Sequence, residues 1–221
     1  MSRTLKIALL AGVLVLTTLA GGASLVVNQT KVSPDAVRSS VTRSEADVDK
    51  AWKLPAASTF KKALTWQSNP SLCGPASVAN VLRSLGETAT SENAVLAGTG
   101  RCWTGICFMG LSLDELAEVT RLKTTRSVTV LRDLSPDQFQ RHLRRANETG
   151  RRYIVNFSRK EIFGAGAGHH SPIGGYLEAE DLVFVLDVNR DFQPWLIERA
   201  RLFSAIDTWD GTKKRGLLLI E

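Results

Sequence analysis

Gln67-Ser68-Asn69-Pro70-Ser71-Leu72-Cys73-Gly74-Pro75-Ala76-Ser77 leads into apolar residues at Val78, Ala79, Val81, Leu82 and Leu85, with Gly86 just beyond. That spacing predicts a helix that begins at Cys73 and stops near Gly86. A cysteine at a helix start feels the positive end of the macrodipole and several unpaired backbone N–H groups, both of which favour thiolate over thiol. Pro75 fits the first turn, where no N–H bond is needed. Gly74 leaves room for a substrate to approach the sulfur. Gln67, six residues upstream, can offer its side-chain amide beside the Cys73 N–H, and two such donors make an oxyanion hole. Taken alone, Cys73 reads as a small buried hydrophobe. Gln67 at this spacing and the helix start shift that reading towards chemistry.

Outward from this stretch the chain divides into unlike halves. Ser112 with Glu115 is a capping-box pattern opening a helix over Leu113 to Leu122. Ser135, Pro136 and Gln138 open another, which ends before Gly150. After Gly150 the chain turns to short apolar runs: Tyr153 to Phe157, Ser171 to Leu177, Leu182 to Val188, and Leu217 to Ile220. The first and third are rich in the β-branched residues that strands favour. Glu178 to Asp181 joins the middle two as a hairpin loop. A helical front and an antiparallel back give an α+β domain.

The 221 residues, 43% hydrophobic and 23% charged, have ordinary globular proportions, which excludes a disordered, collagenous or multi-span membrane chain. Three cysteines exclude a disulfide-stapled miniprotein. A net charge of +6 permits nucleic acid without demanding it, because the basic residues are scattered. Arg3 and Lys6 precede Ile7 to Val27, which carries no charge, and Ala20, Gly21, Gly22 and Ala23 offer small residues for cleavage. This is the layout of a secretory signal, long enough to anchor the chain if uncleaved. Its removal takes away two basic residues and lowers the charge to about +4. The expected division is 1–23 as signal peptide or membrane anchor, 24–65 as a tether that packs onto the domain, and 66–221 as the catalytic domain. The protein is then exported, periplasmic or held on the outer face of the inner membrane, with residues 7–27 its one membrane contact.

A thiolate needs a base, and the chain has three histidines. His142 stands among Arg141, Arg144 and Arg145 and reads as part of a solvated helix face. His169 and His170 are neighbours on a strand whose successive side chains point to opposite sides, so one of them faces the cleft. The pattern leaves open which. Asp187 lies in the apolar run Val183 to Val188, where a carboxylate is costly without a partner. The hairpin returns it to the level of His169, where it can hold an imidazole in one tautomer. Cys, His and Asp in this order with an upstream Gln form an acyl-transfer constellation.

From near Trp66 onward the chain resembles the phytochelatin synthase family, its short bacterial members in particular. The likeness is carried by Gln67 to Ser77, Gly110 to Leu116, Ile154-Val155-Asn156-Phe157, Gly168 to Tyr176, Leu186-Asp187-Val188-Asn189-Arg190, and Lys214-Arg215-Gly216. The Ser-Pro-Ile-Gly-Gly-Tyr block followed by Leu-Asp-Val-x-Arg is its most specific part. The resemblance implies a papain-like fold, with Cys73 as nucleophile, His169 as base, Asp187 as orienting carboxylate and Gln67 in the oxyanion hole. It implies attack on the Cys-Gly amide of glutathione, release of glycine, and transfer of γ-glutamylcysteine from a thioester to water or to a second glutathione. Arg190, Asp210 and Arg215, with Gly168 beside them, match positions that receive the γ-glutamyl end. The loop from Asp210 to Arg215 looks shorter than usual.

Three departures bear on this. Leu72 stands where plant members have an aromatic residue. The chain stops at Glu221, so the Cys-rich C-terminal region of plant enzymes is expected to be missing, and with it much of their metal sensing. Cys102 and Cys107 read as a small-loop disulfide, worth about 2 kcal/mol in loop entropy. A second acylation site or a metal-thiolate pair is the other reading of these two cysteines, with no further ligand nearby to complete it. No cofactor or bound metal is required, although Zn2+ or Cd2+ can enter as glutathione-thiolate complexes. The expected partners are glutathione and γ-glutamylcysteine peptides, without nucleic acid, and a homodimer is left open. Hydrolysis is expected to dominate transfer. A papain-like leader-processing peptidase and a non-catalytic thiol-peptide binding module are the alternatives.

Overall fold

Two capped helices precede the quoted stretch in the computed structural model, which describes residues 31–102, 107 and 110–221. The expected signal within 1–23 lies outside the described residues, and among those no helix is long and apolar enough to cross a membrane. Helix α1, Pro34–Ser40, begins where the Ser33 side chain accepts the Ala36 N–H at 3.1 Å. Helix α2, Glu45–Trp52, is capped in the same way by Ser44. Between them Thr42 pairs with Leu196 through both backbone groups. Ala51, Ala57, Phe60 and Leu64 reach the main core, so the segment 31–65 is built into the domain.

Helix α3, Cys73–Ser84, follows a short 3-10 turn, Pro70–Leu72, and is buried from Cys73 through Leu82. A helix with no wet face must satisfy its polar side chains inside. Ser77 Oγ lies 2.7 Å from the Cys73 carbonyl and 3.0 Å from the His170 carbonyl, which ties the helix to a strand. Asn80 donates to the Thr65 and Ala76 carbonyls, each at 2.8 Å, and accepts the Thr65 N–H. Gly74 has a different purpose from the one its sequence suggests: a Cβ there would sit 2.9 Å from Leu116 Cδ1. It makes room for the packing of α3 against Leu116.

Helix α4, Glu92–Leu96, is followed by α5, Leu113–Arg121, which opens with the predicted capping box, both hydrogen bonds present. Strand β1, Val128–Leu131, comes next, then α6, Pro136–Arg145, which has the second predicted capping box. The back half contributes β2 (Arg152–Ser158), α7 (Arg159–Phe163), β3 (Gly168–Leu177), β4 (Leu182–Val185), β5 (Trp195–Glu198) and α8 (Arg199–Ile206). A two-residue pair, β6 (Trp209–Asp210) with β7 (Lys213–Lys214), precedes the last strand, β8 (Gly216–Ile220). The main sheet runs β1-β8-β2-β3-β4-β5, with every neighbour antiparallel.

Both faces of this sheet are covered, and alternation along each strand assigns its residues to a side. Ile154, Phe184, Leu218 and Ile220 face α3 and α5. Tyr153, Val155, Phe157, Trp195, Leu217 and Leu219 face α6 and α8. Gly216 marks a close approach, since a Cβ there would fall 2.1 Å from the Leu131 carbonyl oxygen, which is backbone and cannot turn away. Gly216→Ala is expected to lower the unfolding free energy by about 2–3 kcal/mol through the lost fit of β8 against β1. The midpoint of urea unfolding, compared with wild type at constant m, reads this directly.

Candidate active site

The start of α3 and the start of β3 meet at the Cys73 sulfur. Cys73 is the one free cysteine among the described residues and is 5% exposed. Successive residues of β3 do turn to opposite sides. His169 is paired with Phe157 and His170 with Asn156, so His170 shares the α3 side with Asn156 while His169 faces the Trp195 side. The sulfur nevertheless feels both, because α3 begins at the end of the strand. His170 Nδ1 lies 3.8 Å from Sγ, and the charge of His169 acts on the same sulfur. Of the two rings it is His170 that lines the cleft.

His169 is held from behind by Asp187. Its Nε2 lies 2.9 Å from Asp187 Oδ1, so its other nitrogen, Nδ1, is not engaged by the carboxylate. Asp187 is fully buried and also accepts from Trp195 Nε1 at 3.2 Å, from the Asn189 N–H at 2.9 Å, and from Arg159 Nη2 at 3.2 Å. Arg159 Nη2 is also 3.0 Å from His169 Nε2. Both nitrogens are donors, so each turns its hydrogen to the carboxylate between them. The expected return of Asp187 to the level of His169 is thus realised. Leu186 N–H bonds the Pro172 carbonyl just after β4, and the chain then delivers Asp187 beside β3.

The charges follow from this contact set. Burial presses the Asp187 carboxyl upward, but His169 and Arg159 outweigh it and hold the group far below the usual carboxylate range. Burial also opposes a thiolate at Cys73. The His169 charge and the hydrogen bonds from His169 and His170 overcome it and hold the thiol well below its ordinary value. For His169, burial and Arg159 favour the neutral ring, while Asp187 and Cys73 lift it above the normal histidine value. The arrangement is a thiolate–imidazolium pair steadied by a carboxylate, which suits nucleophilic acyl transfer.

Cys73 opens into a cavity of about 370 Å³, within the range of small-ligand sites. Asn156, Asp210 and Arg215 stand on its wall as a closed triad. Arg215 Nη1 donates to Asn156 Oδ1 at 2.7 Å, Asn156 Nδ2 donates to Asp210 Oδ2 at 3.0 Å, and Arg215 Nη2 pairs with Asp210 Oδ1 at 3.1 Å. Gly168 lets the guanidinium pass, since a Cβ there would lie 2.3 Å from Nη1.

Gln67 is positioned by its N–H to the Val188 carbonyl at 2.9 Å, and Val188 packs against Cys73 and Ala76. Arg190 is not brought to the cavity. It is exposed on the Asn189–Gln193 turn and outside the cavity wall, because the chain reverses immediately after Asp187. His142 is not on a solvated face either: its Nδ1 lies 3.1 Å from the Tyr153 hydroxyl. Cys102 and Cys107 are joined in a disulfide, and the Cys107 N–H donates to Ser71 Oγ at 3.1 Å beside the cavity. Sequence reasoning missed Arg159, Asn156 and Trp195. The motif Ile154-Val155-Asn156-Phe157 contained Asn156, and its polar side chain in an apolar strand was the signal.

A family model described as Phytochelatin synthase matches residues 27–217. The chain belongs to the phytochelatin synthase family. The matched range starts well before Trp66 and takes in α1 and α2. Among curated relatives, the glutathione gamma-glutamylcysteinyltransferase of Schizosaccharomyces pombe is 25% identical over 187 residues, covering 74% of this chain and 42% of that protein. Glutathione gamma-glutamylcysteinyltransferase 2 of Arabidopsis thaliana is 26% identical over 184 residues, covering 70% and 37%. The chain therefore spans about two-fifths of the length of these relatives. A solved structure described as a C39-like peptidase from Bacillus anthracis superposes with a TM-score of 0.54 at 11% identity, over 73% of this chain and 96% of that one. The fold of this phytochelatin synthase family member is papain-like, with a helical front and an antiparallel sheet.

Proposed function

We propose that the protein is a glutathione γ-glutamylcysteinyltransferase-like cysteine acyltransferase. Cys73 Sγ attacks the carbonyl carbon of the Cys-Gly amide, and the oxyanion is received by the Cys73 N–H and the Gln67 side chain. His169 passes its proton to the amide nitrogen, so that glycine leaves as a neutral amine and a γ-glutamylcysteinyl thioester remains on Cys73. His169, now neutral, removes a proton from water or from the amine of a second glutathione. The new C–O or C–N bond forms as the C–S bond breaks, and the thiolate–imidazolium pair returns.

The observation that carries this reading is the Asp187–His169 pair acting on Cys73 where its sulfur opens into the cavity that also holds Arg215 and Asp210. A γ-glutamyl end bears an ammonium and a carboxylate, and an adjacent acid and base complement both. The names of the family and of its relatives support the same substrate. Hydrolysis is the expected dominant outcome, with phytochelatin synthesis as the transfer branch, and zinc or cadmium would enter as the glutathione thiolate complex. Residues 1–23 would export the enzyme, and its role in metal detoxification would then lie outside the cytoplasm.

Incubation with glutathione and a zinc or cadmium salt, followed by mass spectrometry, tests this. The expected products are γ-glutamylcysteine and glycine in excess over γ-glutamylcysteine oligomers. Mainly oligomers would reverse the order of the two branches. Cleavage of a double-glycine leader peptide with none of glutathione would replace the reading by a processing peptidase.

A further inference from the structure

Two imidazoles act on the Cys73 sulfur, and the chemistry above uses one of them. His169 is committed through Nε2 to Asp187 and acts on the sulfur by its charge. His170 is 3% exposed, places Nδ1 3.8 Å from Sγ, forms part of the cavity wall, and has a buried Nε2 without a hydrogen-bond partner among the described residues. Its backbone is fixed by pairing opposite Asn156 and by Ser77 Oγ at its carbonyl.

A neutral imidazole carries one N–H. If that hydrogen were on Nε2 it would meet no acceptor, and the Nδ1 lone pair would face a negatively charged sulfur. With the hydrogen on Nδ1, the ring gives the thiolate a charge-assisted donor, the stronger kind of hydrogen bond. Only the second arrangement suits an ionised Cys73.

We propose that His170 is a second catalytic imidazole, whose Nδ1–H hydrogen-bonds the Cys73 sulfur and stabilises its negative charge at the start and end of each turnover. No proton leaves His170 in either half-reaction. It donates to the attacking thiolate, loses that partner while the thioester stands, and donates again as the C–S bond breaks and the sulfur departs with the electron pair. His169 carries the moving proton throughout. The proposal rests on Cys73 being the nucleophile and is independent of the substrate's being glutathione. The other charged and titratable groups facing the sulfur are His169, with Asp187 and Arg159 behind it, and Arg215 with Asp210 on the cavity wall. Substitution at 170 leaves all of them in the chain.

The test is the pH dependence of iodoacetamide alkylation in the full chain with the Cys102–Cys107 disulfide intact, so that Cys73 is the reacting thiol. His170→Phe is expected to raise the alkylation midpoint by about one pH unit, the effect of removing a hydrogen bond to the charged form. His170→Asn, whose side-chain amide can place an N–H near the Nδ1 position, is expected to keep the midpoint near wild type. An unmoved midpoint in His170→Phe overturns the proposal, and so does an equal rise in both variants, which would mean that the donor is not what matters. Alkylation is read without glutathione. A wild-type protein that leaves glutathione uncleaved therefore overturns the proposed substrate, while the curve decides His170 separately.

Discussion

Cys73→Ala is expected to lower glutathione turnover by on the order of 10⁵-fold, the scale on which loss of a nucleophile collapses a triad that acts as a unit. The fold should survive the change. The substitution removes one sulfur from the start of α3, while the Ser77 and Asn80 bonds that dock this helix use backbone carbonyls and other side chains. Binding through Arg215 and Asp210 should survive as well, so the loss falls on kcat. Mass spectrometry of wild-type protein quenched during turnover is expected to find a γ-glutamylcysteinyl adduct on the peptide containing Cys73, and none in Cys73→Ala. A variant that binds glutathione and retains full biological activity would make this site a binding module in place of an enzyme.

Asp187→Asn should be nearly as damaging, through two routes. An amide in place of the carboxylate turns N–H groups towards donors, so His169 loses the acceptor that fixes its tautomer. In triads of this kind that costs kcat on the order of 10⁴. It also leaves Arg159 with its charge unpaired in a largely buried setting, which typically costs about 3–5 kcal/mol of stability. The pH dependence separates the two routes. The Asp187 pKa in the fold is held below its unfolded value of about 3.9, so its stabilising contribution is complete above that pH and is lost as pH falls towards the folded value. The stability gap between wild type and Asp187→Asn should therefore be full near neutrality and shrink below about pH 4. The rate profile responds at its other end. Asp187 helps lift His169 above the ordinary histidine value, so removing the carboxylate moves the alkaline limb of kcat/KM to lower pH. Urea titrations across acid pH and a rate profile on residual activity measure the two effects.

The parts of this site that were legible in sequence are those fixed by local rules. A helix start at Cys73 follows from apolar spacing, Pro75 and Gly86, and both capping boxes follow from a Ser with Glu or Gln three residues on. The strands following Gly150 were visible as apolar runs. β5 was not, because its four residues run directly into α8 and leave no turn signal between them. Residues whose meaning depends on register were the hardest to read. Arg159 is one of 28 basic residues, and its pairing with Asp187 exists only because the β3–β4 hairpin sets the two side by side. Gly74 was misread because its neighbour, Leu116, belongs to another helix. His170 could not be placed because alternation assigns faces but does not say where a helix start will meet the strand.

The position of β8 couples closure of the sheet to completion of the cavity wall. Residues 216–220 follow every other element in the chain, yet they lie inside the sheet between β1 and β2. β2 can pair with β3 as a local hairpin, but β1 joins the sheet only through β8. Arg215 is carried into the cavity by the same insertion. Closing the sheet and completing the Asn156–Asp210–Arg215 wall of the cavity are therefore a single long-range event, which depends on contacts far apart in sequence.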